Sequence, residues 1–349
     1  MLRNKIYLVI LTLSVVLSVL TGCTNKTEVK VDPKGMSYYD FFDTVSFIYS
    51  YTTDDDETFK EKCNAIAGIL QEYHRMFDIY HEYDGINNLY TVNKNAGIKP
   101  VEVDERLIEF LSLGKELHAR TNGKMNIMIG ALTKPWHDCR TNASDNPESA
   151  KLPDEDLLLE ANKHVDIDLL VIDKDNNTVY ITDPEARLDV GAFGKGYATE
   201  KAADYLFSIN STGYVLNIGG NIRIIGTRLD GAGWVTGIVN PADTTEFAMR
   251  INIKNIACVT SGDYERYFVV DGKKYHHVID PVTLYPAQYF ASVTIITDDS
   301  GLADAYSTAF YCMNYEEGIK LAEKLGIDVV WIFKDGDVKY TKNVENLIY

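Results

Sequence analysis

The sequence predicts an α+β fold, a single domain of mostly antiparallel sheet with packed helices, following a short N-terminal leader. Three observations carry that expectation. Two segments with helical apolar spacing come early in the chain, and from about Asp168 the pattern changes to short β runs separated by tight turns. Further helical runs then fall between groups of strands, which is the order of an α+β chain rather than of alternating βαβ units.

Taken in order, the chain opens with Arg3 and Lys5, an uncharged and mostly apolar run from Ile6 to Leu20, and then Leu20, Thr21, Gly22 and Cys23. The run is short for a bilayer span and ends in small residues before a cysteine. Residues 1–22 therefore read as a lipoprotein signal peptide, with a transmembrane anchor as the alternative. Cys23 would become the acylated first residue of the mature chain, holding a soluble domain at the outer face of the cell membrane through its lipid. Residues 23–36 form a polar tether, and residues 37–349 form the domain.

Asp56 to Phe77 places Phe59, Cys63, Ile66, Leu70, Tyr73 and Phe77 at alternating steps of four and three, an amphipathic helix whose start is favoured by Asp54, Asp55 and Asp56. A second helix is expected from about Asp104 to Arg120, ending before Asn122 and Gly123. The polar stretch Asp138–Asp154 reads as an insertion loop. Leu169–Ile172 and Val179–Ile181 flank Asp175, Asn176 and Asn177 as a hairpin, and strands are expected at Tyr214–Leu216, Ile222–Ile225, Trp234–Val239, Ile256–Thr260, Tyr267–Val270 and His277–Ile279. Leu302–Cys312 and Tyr315–Leu325 read as helices. Val329–Phe333 and Val338–Tyr340 close the chain as a hairpin around Asp335 and Gly336.

The formal net charge is −17, and loss of Arg3 and Lys5 with the leader takes it to −19. Basic residues are scattered among more numerous acids, which argues against a nucleic-acid partner. Five cysteines occur, and after Cys23 the remaining four at 63, 139, 258 and 312 contain no C-x-x-C pair. Neither a zinc site nor a disulfide framework is indicated, and with 46% hydrophobic residues the chain can build a core without cross-links.

Several segments carry polar groups suited to chemistry. Leu188 to Tyr197 reads LDVGAFGKGY, expected as a strand running into a glycine turn and a helix from near Tyr197. Such a turn can cradle phosphate with backbone N–H groups and the Lys195 charge, or it can be plain structure. The Asn217 to Asn221 segment, with Gly219 and Gly220, marks either a close approach of a ligand or a bulge. His276 and His277 lie one hairpin beyond Thr260 to Arg266, and on a strand at most one of them faces a reacting group. Asp304 and Thr308 stack four apart on one helix face as two hard oxygen donors, compatible with magnesium or with a capping aspartate and a buried threonine.

The order and separation of these blocks resemble the ApbE family of FAD:protein FMN transferases over essentially the whole mature chain. Phe42-Asp43-Thr44 falls where that family has Met-Gly-Thr, Gly123 to Asn126 where it has Gly-Ala-Phe-Asp, and Leu188 to Tyr197 on its LDLGxxxKGY block. GGN, TSGDYER, HHVIDP and the AD-x-x-x-T of Ala303, Asp304 and Thr308 complete the series. The resemblance implies a flavin site using Phe42, Tyr80, Lys124, Met125, Asn126, Asp189, Lys195 and Ile279. It also implies Mg2+ held by the Ala192 carbonyl, Asp304 and Thr308, with His277 as the proton-transfer residue. FAD would be the substrate, and exported or membrane redox proteins flavinylated on threonine the acceptors. FAD pyrophosphatase activity and non-catalytic flavin binding are the competing expectations. Phe42 and Asp43 in place of Met and Gly, Asn126 in place of Asp, and Leu284 in place of Gly depart from the family pattern.

Overall fold

The computed structural model describes residues 32–349. The leader, Cys23 and most of the expected tether lie outside the described residues. β1 (Lys34–Phe41) takes in the last three residues of that expected tether and pairs with β2 (Thr44–Ser50). The hairpin turns on Phe42 and Asp43, both at positive φ, the geometry that a two-residue turn between twisted strands requires.

Helix α1 (Asp56–Phe77) follows, with Asp55 accepting the Thr58 N–H as its cap and the expected apolar stripe buried. Short α2 (Leu89–Lys94) was not visible in the apolar pattern, whereas α3 (Glu105–Arg120) forms where expected behind its Asp104 cap. Between them lies β3 (Val101–Glu102). The stretch expected as an insertion loop, Asp138–Asp154, is helical over its first half, because α4 runs from Gly130 to Asp145, and α5 (Glu155–Ala161) begins just after it. Pro135 and the polar composition disguise α4, yet Leu132, Trp136 and Ala143 give it an apolar edge that is buried.

β4 (Leu170–Asp173) and β5 (Thr178–Ile181) form the expected hairpin, with β3 added at its edge. Residues 188–190 are not in a strand. Arg187 makes a single bridge to Ile129, and α6 (Gly194–Ser208) starts three residues earlier than expected. Then come β6 (Tyr214–Ile218), β7 (Asn221–Ile225), β8 (Trp234–Asn240), β9 (Asp243–Ile253), β10 (Ala257–Gly262), β11 (Tyr267–Val270) and β12 (Lys273–His276). The strand expected at His277–Ile279 ends instead at His276, so the alternation expected to separate the two histidines does not apply. β13 (Phe290–Thr297), α7 (Ser300–Tyr311), α8 (Tyr315–Leu325), β14 (Asp328–Phe333) and β15 (Val338–Tyr340) complete the described elements.

Eight strands form one sheet in the order β1-β2-β6-β7-β10-β13-β14-β15, antiparallel at every pairing. β13 lies inside it and is buried along nearly its whole length, because both sheet faces are covered there. On one face α1, α6 and α7 pack together, joining Ile66, Leu70, Phe110, Leu206, Tyr214 and Phe310 in the main core. On the other, Ile238, Ile251 and Ile253 of the β8–β9 hairpin meet Ile224, Ile296 and Val330. A third apolar cluster, around Trp136, Leu158, Phe268, Ile279 and Leu284, ties α4 and α5 to the β11–β12 hairpin. Cys63, Cys139, Cys258 and Cys312 are free thiols, and all but the partly exposed Cys139 are buried.

Candidate active site

The chemistry-bearing residues gather where α6 and α7 cross and where the α4 cluster adjoins the main core. Gly196 makes the crossing possible: a Cβ there would lie 2.3 Å from the Ser300 carbonyl oxygen and 2.4 Å from Asp304 Cβ. The two helix starts therefore approach more closely than any side chain permits. Asp304, one turn into α7, is buried, and its Oδ2 accepts the Gly196 N–H at 2.8 Å and the Asn221 amide at 3.5 Å. Lys195 Nζ stands 3.8 Å from the same oxygen. Burial raises the Asp304 pKa, and Lys195 and these hydrogen bonds oppose that rise.

One turn further along α7, the Thr308 hydroxyl donates to the Ala192 carbonyl at 3.3 Å. The three groups implied as metal ligands thus lie along one edge of α7 and the turn before α6. Oδ1 of Asp304 takes no protein hydrogen bond among the described residues, while Oδ2 is already engaged. The donor set is one carboxylate and two neutral oxygens, with no cluster of three or more His, Cys, Asp or Glu among the described residues. That composition fits magnesium, which commonly keeps water and substrate phosphates in its octahedron, and does not fit zinc.

The two histidines differ sharply. His276 donates from Nε2 to the Ala287 carbonyl at 2.7 Å and accepts the Val278 N–H on Nδ1 at 3.2 Å, so both ring nitrogens are used by the backbone. Burial is the main cause that pulls its pKa down to about 4. His277 has a buried Nδ1 with no hydrogen-bond partner. Burial first, then the charge of Arg266, His276, Lys195 and Arg140, depress its pKa to about 3. It is a neutral imidazole near cationic side chains, and its Nδ1 is closed to solvent as well as unpaired.

Asp189 sits opposite. Its carboxylate accepts from the Thr133 hydroxyl at 2.8 Å and from the Gly191 N–H at 3.0 Å, which folds the glycine turn back on itself. Tyr80 is 55% exposed, with its ring centroid 5.7 Å from that of His137 on α4. Lys124 pairs with buried Asp280 of the HHVIDP segment at 3.0 Å. The Met125 side chain is fully buried in the main core. Asn126 bonds backbone only, its amide donating to the Val165 carbonyl and its oxygen accepting the Met128 N–H. Ile279 is buried in the α4 cluster, and the Phe42 N–H donates to His74 Nδ1 at 3.2 Å. A hydrogen bond joins Thr308 to Ala192 and an ion pair joins Lys195 to Asp304, with Asp304 and Thr308 one turn apart on α7. The Lys195 charge bears on His277, whereas Lys124 is paired with Asp280, and Met125, Asn126 and Ile279 are buried.

The glycine pair of the Asn217–Asn221 segment proves to be the β6–β7 turn, with Gly219 at φ 56° and no room for a Cβ beside Thr44. Leu284, standing where the resemblance expects glycine, keeps the left-handed backbone at φ 66°. Its N–H donates to the Asp280 carbonyl, and its own carbonyl accepts the Trp136 indole.

The ApbE family model matches residues 43–331. The chain belongs to the ApbE family. It is 28% identical over 300 residues to a Haemophilus influenzae FAD:protein FMN transferase, covering 84% of this chain and 83% of that protein. With the Treponema pallidum FAD:protein FMN transferase it shares 30% identity over 272 residues, 73% of each chain. Among solved structures, the ApbE protein of Thermotoga maritima superposes with a TM-score of 0.80 at 27% identity, covering 91% of this chain and all of that one. The flavin transferase ApbE of Vibrio cholerae superposes at 0.76 with 26% identity, covering 91% and 100%.

Within this ApbE fold, sequence reasoning passed over Gly196, Asn221, Thr133 and Asp280 as supports of the site. Arg266 lies within TSGDYER with no local pattern to give it a role, and Arg140 falls in the stretch expected as a loop but lies on α4. A signal for Arg140 exists: Thr133, His137 and Arg140 are spaced four and three apart, one face of a helix.

Proposed function

We propose that this protein is an FAD:protein FMN transferase, which moves FMN from FAD to a threonine hydroxyl of an exported or membrane redox protein and releases AMP. The observation that carries the reading is the buried Asp304, with Oδ2 held by Gly196 and Asn221 and Oδ1 left for a ligand beside Thr308 and the Ala192 carbonyl. Bound there, Mg2+ supplies neutralisation of the charge that builds on the phosphate oxygens and on the departing AMP.

The chain's own residues do the remainder. Lys195, beside Asp304, holds the pyrophosphate by a charge-assisted contact, and the folded-back turn 189–194 presents it. Tyr80 and Asp189 line the flavin end, with Phe42 on its tethered turn and with Lys124, Met125, Asn126 and Ile279 in the supporting wall. His277 accepts the proton of the attacking hydroxyl through Nε2: burial keeps the imidazole unprotonated, and its Nδ1 is shut away without a partner. His276 is bound at both nitrogens and positions the chain on either side of it. The acceptor's hydroxyl oxygen bonds to the FMN-side phosphorus, and the bond from that phosphorus to the oxygen bridging to AMP breaks.

Acylation at Cys23 would place this reaction at the extracytoplasmic face of the cell membrane, where exported acceptors are found. The test is AMP formation against magnesium concentration for wild type and Asp304→Asn. Asparagine keeps the shape and the helix, so FAD should still bind while turnover nearly vanishes at ordinary magnesium and recovers in part with excess. Superimposable curves would remove the metal site from this account.

A further inference from the structure

Every described arginine except two has a partner for its guanidinium. Arg223 pairs with Glu200, Arg106 with Asp104 and Glu72, Arg120 with Glu116, and Arg228 with Asp230. Arg187 donates to backbone carbonyls, and Arg75 and Arg250 lie over tyrosine and phenylalanine rings. Arg140 and Arg266 have no ion pair, side-chain hydrogen bond or aromatic partner among the described residues. In a chain with 51 acidic residues against 34 basic ones, two unpaired guanidinium groups in one place need a physical reason.

Their placement supplies it. Thr133 and His137 project from one face of α4 to Asp189 and to the Tyr80 ring, at 2.8 Å and 5.7 Å. Arg140 lies on the same face one turn further along, as its spacing of seven and three from those residues requires. Arg266, in the turn between β10 and β11, lies two residues before Phe268, whose ring centroid is 6.4 Å from that of Trp136, four residues before Arg140 on α4. The two charges converge: burial and the neighbouring Arg266 lower the Arg140 pKa, while Tyr80 and Asp189 act on it too. Both arginines also act on His277. Asp189 offsets these charges only at a distance and forms an ion pair with neither arginine, so the pair remains unfavourable until an anion joins it, and a planar guanidinium matches phosphate oxygens in a fork.

We propose that Arg140 and Arg266 form a phosphate-binding subsite that grips the diphosphate of FAD beside His277. Lys195 is already drawn toward Asp304, so the arginine pair supplies the positive charge on the other side of the reacting group. A diphosphate carries two negative charges, one for each guanidinium. The inference rests on the flavin-transfer reading above and assigns to that site a positioning role for a residue on α4.

The test uses the full chain in detergent, with calorimetric affinities for FAD and for riboflavin, which has the same ring and no phosphate. Arg140→Gln and Arg266→Gln should each weaken FAD binding about tenfold to a hundredfold, the scale of a charge-assisted hydrogen bond. Riboflavin affinity and the thermal midpoint should hold, and Arg140→Lys should keep part of the FAD affinity. The double variant should also show a shallower dependence of FAD affinity on salt. An unchanged FAD affinity in the double variant would overturn the proposal, as would an equal loss for riboflavin. Intact FAD binding with lost transfer would overturn it too, by assigning the pair to the acceptor protein. A wild-type chain that binds no FAD would instead remove the flavin reading itself.

Discussion

His277 and Leu284 show how single positions set what the site can do. Because His277 stays neutral down to about pH 3, its use as a base should leave no loss of rate near pH 6.5, the usual histidine range. His277→Ala should lower turnover roughly 100-fold to 10,000-fold with little change in FAD affinity. Single-turnover rates beside binding measurements separate the two, and a wild-type rate in His277→Ala would point to another base. Leu284 holds a backbone conformation that costs a non-glycine residue about 1–2 kcal/mol, yet it is buried against the Trp136 cluster. Removing a buried leucine costs roughly 2–5 kcal/mol, so the packing loss outweighs the relief of strain. Leu284→Gly should therefore lower the urea midpoint. A higher midpoint would mean that the strain dominates.

At the scale of elements, the close crossing of α6 and α7 couples the glycine turn to the metal-facing carboxylate. A methyl group on residue 196 would collide with the Ser300 carbonyl and Asp304 Cβ, both parts of a buried helix that cannot yield cheaply. Gly196→Ala should lower the thermal midpoint and weaken magnesium binding together, and retention of wild-type magnesium affinity by calorimetry would show that the crossing does not position Asp304. Several elements were legible because their signals are local: the stripe of α1, the caps of α1 and α3, and the Asp335–Gly336 hairpin all depend on neighbours in sequence. Other elements were not. β13 is buried on both faces and shows no alternation, β9 is polar and exposed over its first half so that only Phe247, Met249, Ile251 and Ile253 at its end mark a strand, and α4 carries a proline and many polar residues. The Asp304 and Thr308 pair was visible as a spacing of four, but the Gly196 and Asn221 bonds that orient Asp304 come from elements about a hundred residues away. The unpaired state of Arg140 and Arg266 likewise depends on what does not surround them in space.

The whole molecule should respond to acid through buried His276 and half-buried His277. Their folded pKa values, about 4 and about 3, lie below the ordinary 6.5, so the unfolded chain takes up their protons first as pH falls. Their contribution to stability is therefore intact above about pH 6.5 and declines from there toward pH 3. Urea midpoints at pH 7 and pH 5 should differ less in His276→Gln than in wild type, and an unchanged difference would mean that His276 does not carry this dependence. The Cys23 anchor, if the leader is processed as its sequence implies, would confine the domain to the membrane, and Cys23→Ser should release it or leave it unprocessed. Mass spectrometry of the membrane fraction tests this, and an unmodified N-terminus upstream of Cys23 would contradict it. The central claim is transfer of FMN to a protein hydroxyl, and the direct measurement is stoichiometry. The purified full chain, FAD, magnesium and a threonine-bearing redox acceptor are incubated together. AMP released is then compared with flavin fluorescence that remains on the acceptor after denaturing electrophoresis. The account predicts one AMP for each flavin bound to the acceptor, whereas AMP released together with free FMN and no flavin on the protein would contradict it.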